Sequence, residues 1–114
     1  MKVYFASDHA GFEMKSALVS FAHELGHEAV DFGAKEFDKE DDYPIFIEKV
    51  AMEIYKDPEN SRAIIIGGSG QGEAMCANRF KGIRAFEYYA PNSGSVNIIT
   101  DSRSHNDSNI ISIG

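Results

Sequence analysis

The sequence predicts an α/β fold, a three-layer α/β/α sandwich on a five-stranded parallel sheet, and three observations predict it. Short apolar or β-branched runs (Lys2 to Ala6, Ile64 to Ile66, Ile110 to Ile113) recur along the 114 residues. Segments with apolar residues at three-to-four spacing separate them, and glycines or polar clusters mark each change. Strands that alternate with helices need crossover connections, and such units assemble into a sheet covered on both faces. A chain of this length forms one domain, 1–114, with a single core.

The elements follow in order. Lys2 to Ala6 is the first strand and runs into the polar break Ser7-Asp8-His9. A helix carrying Phe12, Leu18, Val19, Ala22 and Leu25 then stops at Gly26, a C-cap glycine. His27 to Phe32 is the second strand; its weak alternation fits a strand covered on both faces. Ala34 to Asp42 is polar and acid-rich and reads as a solvated loop. Pro44 suits the first turn of a second helix whose buried stripe is Ile45, Ile47, Val50, Ala51 and Ile54 and which ends before Asp57. The strand Ile64 to Ile66 leads through a glycine loop into a third helix, to about Phe80, and Ile83 to Tyr89 is the fourth strand. From Pro91 to Asp101 a turn followed by a helix is expected, then a polar loop over Arg103 to Asn109 and a last strand to Ile113. The whole is a Rossmann-like order of elements, without internal repeats.

Charge narrows the function. A net charge of -7 argues against a nucleic-acid or anionic-membrane surface, because like charges repel. The lone Cys76 leaves no internal disulfide and no cysteine metal site, as in a reducing cytoplasm. No apolar run approaches membrane-spanning length and the first residues enter a strand directly, so neither anchor nor signal peptide is expected.

The most informative stretch is Ala63 to Asn78, reading AIIIGGSGQGEAMCAN. Its glycines permit positive φ and close approach to the backbone, and the following helix start leaves N–H donors open, so the loop suits an anion or oxyanion. Glu73 stands in that first turn, where it either complements the helix dipole or acts as a catalytic base. Ligands of open α/β sheets bind outside the carboxyl ends of the strands. Ser7-Asp8-His9, Ser69 to Glu73 and Ser104 to Asp107 are all expected there, although Asp8 also reads as an N-cap, His9 as a surface residue, and His105 and Asn106 as turn formers.

Six motifs occur in register: SDHAGFE from Ser7, DYP from Asp42, GGSGQGE from Gly67, ANR from Ala77, GIRA from Gly82 and HND from His105. Together they resemble the B type of ribose-5-phosphate isomerase, in the family that includes the galactose-6-phosphate isomerase subunits, over essentially the whole chain. The resemblance implies aldose–ketose isomerisation of a phosphorylated pentose or hexose through a cis-enediolate, with no metal or organic cofactor. It implies Glu73 as the proton-shuttling base, Ser69 as a hydroxyl near O1 and O2, and amides around Gly68, Gly70 and Gly72 as the anion hole. His105 would assist ring opening, Asp8, Tyr43 and Asn106 would bind the sugar, and His9 would face the phosphate. It also implies a homodimer or a dimer of dimers, with the His-Asn segment reaching the neighbouring subunit's site.

Three departures from the family pattern stand out. The other branch has a cysteine base where this chain has Gly67, and Cys76, on a helix beyond the loop, reads as a core thiol. The segment Phe86 to Asp101 is longer than the family's usual. The family's C-terminal helix and its phosphate-binding arginines have no counterpart before Gly114, which leaves a second reading open: a catalytically impaired binding or assembly module of the same fold. Nucleotide binding is disfavoured, because no Lys-Ser or Lys-Thr follows the glycines and a dinucleotide fingerprint belongs after the first strand.

Overall fold

The computed structural model describes residues 1–32, 43–89 and 98–114. The expected acidic loop from Ala34 to Asp42 and the turn expected to open at Pro91 lie outside the described residues, as do the side chains of His9, Tyr43 and Pro44.

Five strands, β1 (Lys2–Ser7), β2 (Glu28–Asp31), β3 (Ser61–Ile66), β4 (Ala85–Tyr88) and β5 (Ile110–Ile113), form one sheet in the order β2-β1-β3-β5-β4. Every pairing is parallel, with Phe5 opposite both Asp31 and Ile64, and Ile66 opposite Ile113. The connections carry α1 (Phe12–Glu24), α2 (Tyr43–Lys56), α3 (Gln71–Ala77) and α4 (Ile98–Asn106). Because strand side chains alternate between faces, Tyr4, Ala6, Ala63, Ile65 and Ile110 share one face. They pack there with Ile47, Val50, Ala51 and Ile54 of α2 and Ala77 of α3. Val50, Ile54 and Ile65 are almost fully buried, each worth about 2 kcal/mol of transfer free energy. On the other face Val3, Ile64, Phe86 and Ile111 line a groove of about 450 Å³ beside Ile99 of α4.

Several expected boundaries move. β3 begins at Ser61, whose hydroxyl donates to the Asp57 carbonyl at 2.5 Å. α3 stops at Ala77, three residues before Phe80, where the Asn78 side chain turns to bind the N–H and C=O of Ala85 at 2.7 and 3.0 Å. Arg84 therefore precedes β4 and is not inside a strand. The expected loop over Arg103 to Asn109 is mostly helix: α4 runs to Asn106, and within it the hydroxyls of Ser102 and Ser104 donate to the carbonyls of Ile99 and Thr100. Asp107, at φ 51°, ends it. In α1 the structure adds a buried charge that the apolar stripe conceals. Lys15 has no exposed surface, lies 2.9 Å from Asp31 and sits over the Phe12 ring. Leu25, expected in the stripe, is 60% exposed. Cys76 is half-buried against the core, as expected of a core thiol.

Candidate active site

β1 sends its crossover to β2 on one side, whereas β3 leads towards β4 on the other, so the sheet's switch point lies between β1 and β3. Two polar segments meet at the carboxyl ends of these strands. After β1, the Asp8 carboxylate accepts from the Ala10 N–H at 2.8 Å and caps a short 3-10 turn over His9–Gly11. Gly11 lies so close to β3 that a Cβ there would stand 2.5 Å from Ile66 Cγ2, so this turn is seated directly on the end of β3. Asp8 thus serves as the N-cap that its sequence context also allowed, while staying beside the switch point.

After β3 the glycine loop is tied to β5. The Gly67 N–H donates to the Ile113 carbonyl at 3.0 Å, and Ser112, fully buried, donates its hydroxyl to the Gly70 carbonyl at 2.6 Å. Gly70 adopts φ 78°, a conformation that favours glycine, and precedes α3 without a side-chain cap. Ser69 is exposed, and its hydroxyl accepts from the Gln71 N–H at 3.2 Å. Gly68 is exposed and Gly72 half-buried.

Glu73, in the first turn of α3, folds back over this loop and is only 5% exposed. A Cβ added to Gly67 would overlap its carboxylate, so that carboxylate fills the space a side chain at position 67 would take. Its Oε2 is buried without a hydrogen-bond partner, as is the Ser7 hydroxyl. Both residues line a narrow crevice with Asp8, Phe46, Ile47 and Ile66. Burial raises the Glu73 pKa above the ordinary carboxylate value; the charges of Asp8 and Glu87 push the same way, and the N–H groups of Glu73 and Gly70 pull against them. A buried carboxylate with one unpartnered oxygen and a raised pKa is equipped to take and return a proton.

The third expected cluster does not join this edge. Residues 104–107 come just before β5 in an all-parallel sheet, so they lie at its amino-terminal edge, opposite Glu73. His105 and Asn106 are exposed at the end of α4, with His105 3.9 Å from Asp101. The polarity of this segment suggested a site, but polarity does not tell to which end of the strands a pre-β5 position belongs. Sequence reasoning placed Ser7 at this edge without giving it a role, and passed over Phe46, Glu87 and Tyr89. For Glu87 a signal existed, an acidic residue near the carboxyl end of an otherwise apolar and aromatic strand. Arg84 and Arg103 are both engaged by Asp107, at 3.0 and 3.4 Å, on the amino-terminal edge.

Among the described residues no helix is long and apolar enough to cross a membrane. A family model described as Ribose/Galactose Isomerase matches residues 3–114. The chain is 38% identical over 114 residues to ribose-5-phosphate isomerase B of Mycolicibacterium paratuberculosis, covering 100% of this chain and 68% of that protein. It is 35% identical to ribose-5-phosphate isomerase B of Escherichia coli over 113 residues, 99% of this chain and 71% of the relative. Among solved structures, ribose-5-phosphate isomerase B of Mycoplasma genitalium with bound ribulose-5-phosphate superposes with a TM-score of 0.87 at 29% identity, over 99% of this chain and 71% of that one. The Clostridium thermocellum ribose-5-phosphate isomerase B gives 0.84 at 39% identity, over 100% and 72%. The six motifs, the parallel sheet and the buried glutamate at its switch point therefore have one common explanation: the chain belongs to the ribose/galactose isomerase family.

Proposed function

We propose that this chain interconverts ribose 5-phosphate and ribulose 5-phosphate, with the Glu73 carboxylate carrying a proton between C1 and C2 through a cis-enediolate. The observation that carries the reading is the buried, unpartnered Glu73 Oε2 beside Asp8, in a chain related along its whole length to ribose-5-phosphate isomerases B. Moving a proton from a weakly acidic C–H needs a base shielded from water and with high proton affinity, and burial gives Glu73 both. Because Glu73 occupies the space of a position-67 side chain, it puts its carboxylate where the family's cysteine branch puts a thiol, and Gly67 leaves it room.

The other roles are those that the family resemblance implies. The Ser69 hydroxyl relays protons near O1 and O2, and the amides of Gly68, Gly70 and Gly72 hold the developing oxyanion. Asp8 and Tyr43 bind sugar hydroxyls and His9 the phosphate. His105 and Asn106, at the far edge of their own sheet, enter the site of a second copy, so the working unit is a homodimer in which each edge of one sheet serves a different site.

Glu73→Gln keeps size and hydrogen bonding and removes the base. Turnover of ribose 5-phosphate should fall by about 10²- to 10⁴-fold, the usual contribution of a positioned general base. Turnover within tenfold of the parent chain would remove Glu73 from the shuttle.

A further inference from the structure

Glu87, on β4, belongs to no part of the reaction described above, yet its carboxylate reaches the glycine loop from behind. Its Oε1 is buried, has no hydrogen-bond partner and stands 2.9 Å from the point where a Cβ on Gly70 would sit. It therefore fills the space behind Gly70 as Glu73 fills the space beside Gly67, and the two carboxylates bracket a four-residue loop. Two residues on, the Tyr89 hydroxyl accepts from the Gln71 side chain at 3.3 Å. Gln71 is the first residue of α3, so β4 is laced to the start of the helix that carries Glu73.

We propose that Glu87 is a positioning residue for Glu73: its carboxylate backs Gly70 and seats the glycine loop, while the Tyr89–Gln71 hydrogen bond ties the end of the same strand to the start of α3. Oε1 is buried against Gly70, so Glu87 acts on the base through the loop and through its field. Among the described residues, the titratable groups facing Glu73 are Asp8, just after β1, Glu87 on β4 and Tyr89, just after it. All of them are anionic or neutral. Glu87 thereby favours the protonated form of Glu73 and strengthens it as a base once deprotonated. Tyr89 and Gln71 keep that field fixed relative to the loop.

This rests on Glu73 being the proton shuttle, so the test includes a reading that needs no turnover. In the full chain, labelled with ¹³C and assigned against Glu73→Gln, the titration of the Glu73 carboxyl is followed by NMR in the parent and in Glu87→Gln. Glutamine keeps the volume and removes only the charge. The Glu73 midpoint should move to lower pH, and the acid limb of kcat/KM for ribose 5-phosphate should move by the same amount. Tyr89→Phe cuts the tie to Gln71 and should lower kcat several-fold with little change in KM. An unmoved Glu73 midpoint in folded Glu87→Gln overturns the electrostatic role, and unchanged kcat in Tyr89→Phe overturns the role of the tie. Should Glu73→Gln turn over normally while the NMR midpoint still shifts, the proposed reaction falls and the coupling of Glu87 to Glu73 stands.

Discussion

At the amino-terminal edge of the sheet Asp107 receives Arg84 at 3.0 Å and Arg103 at 3.4 Å, and the Asn109 side chain binds the N–H of Arg84 and the carbonyl of Gly82. At the carboxyl edge Ser7, Glu73 and Glu87 each bury an oxygen that no described residue satisfies. Arg62 Nε, near the amino edge, also lacks a partner, but the same guanidinium donates to the carbonyls of Pro58 and Ser61 at 3.1 and 2.7 Å. One edge uses its polar side chains to close the structure, and the other holds hydrogen-bonding capacity in reserve. An unsatisfied buried polar group costs about 1–3 kcal/mol, so those of Ser7 and Glu73 are sustainable where a ligand completes them.

The largest effect should come from joining the two edges. If His105 of one copy serves Glu73 of another, Glu73→Gln and His105→Ala chains are each nearly inactive. Unfolded and refolded together, they should recover up to about a quarter of parental activity, since half of randomly formed dimers are mixed and each mixed dimer holds one intact site of two. No recovery would break the assignment of His105 to a partner's site, leaving the amino-terminal edge purely structural.

Next in size is a contrast between two buried charges. Lys15 is fully buried and faces Asp31 at 2.9 Å, near the carboxyl edge but satisfied. Asp31→Ala removes the carboxylate from a buried ammonium and should destabilise the fold by about 2–3 kcal/mol, read by urea denaturation. Glu73→Gln should do the reverse. The Glu73 pKa is raised in the folded state, first by burial, so its contribution to stability is fully present below the ordinary value of 4.5 and is lost as pH rises through the folded value. At neutral pH the glutamine variant should therefore be more stable than the parent, by on the order of 1 kcal/mol, with the gain vanishing below about pH 4. A glutamine variant less stable at pH 7 would mean that Glu73 is a structural carboxylate like Asp31.

These two charges also show what was legible in the sequence. Among the described residues periodicity placed the five strands, the first three helices and only the start of α4, because buried β-branched runs and amphipathic spacing are local properties. The carboxyl-edge elements of the site, Asp8 and the loop from Gly67 to Glu73, were legible for the same reason, since each immediately follows a strand. Lys15 was not, because a charge inside an apolar stripe becomes intelligible only with the non-local Asp31 opposite it. Glu87 was hidden likewise: its meaning depends on Gly70, far earlier in the chain and beside it only because β5 and β4 lie next to each other in the sheet. His105 was assigned to the wrong edge because polarity does not reveal the end of a strand at which a segment lies. Arg103 to Asn106 reads as a loop because Ser and Asn favour turns, yet it continues α4, with the Ser104 hydroxyl bonded back to the Thr100 carbonyl.

The smallest effect should come from Asp107, which makes the most conspicuous ion pairs in the described structure. Its side chain is 74% exposed, so solvent and salt screen both arginine pairs, and such pairs contribute about 0–1 kcal/mol. Asp107→Asn removes the charge and keeps a residue that tolerates φ 51°. The shorter contact, Arg84 Nε donating to the Asp107 backbone carbonyl at 2.7 Å, survives the change. Urea midpoints of parent and variant should differ by less than about 1 kcal/mol at low salt and converge as salt is raised. A loss above about 2 kcal/mol that salt does not reduce would show that the amino-terminal edge stores as much energy in its side chains as the carboxyl edge forgoes.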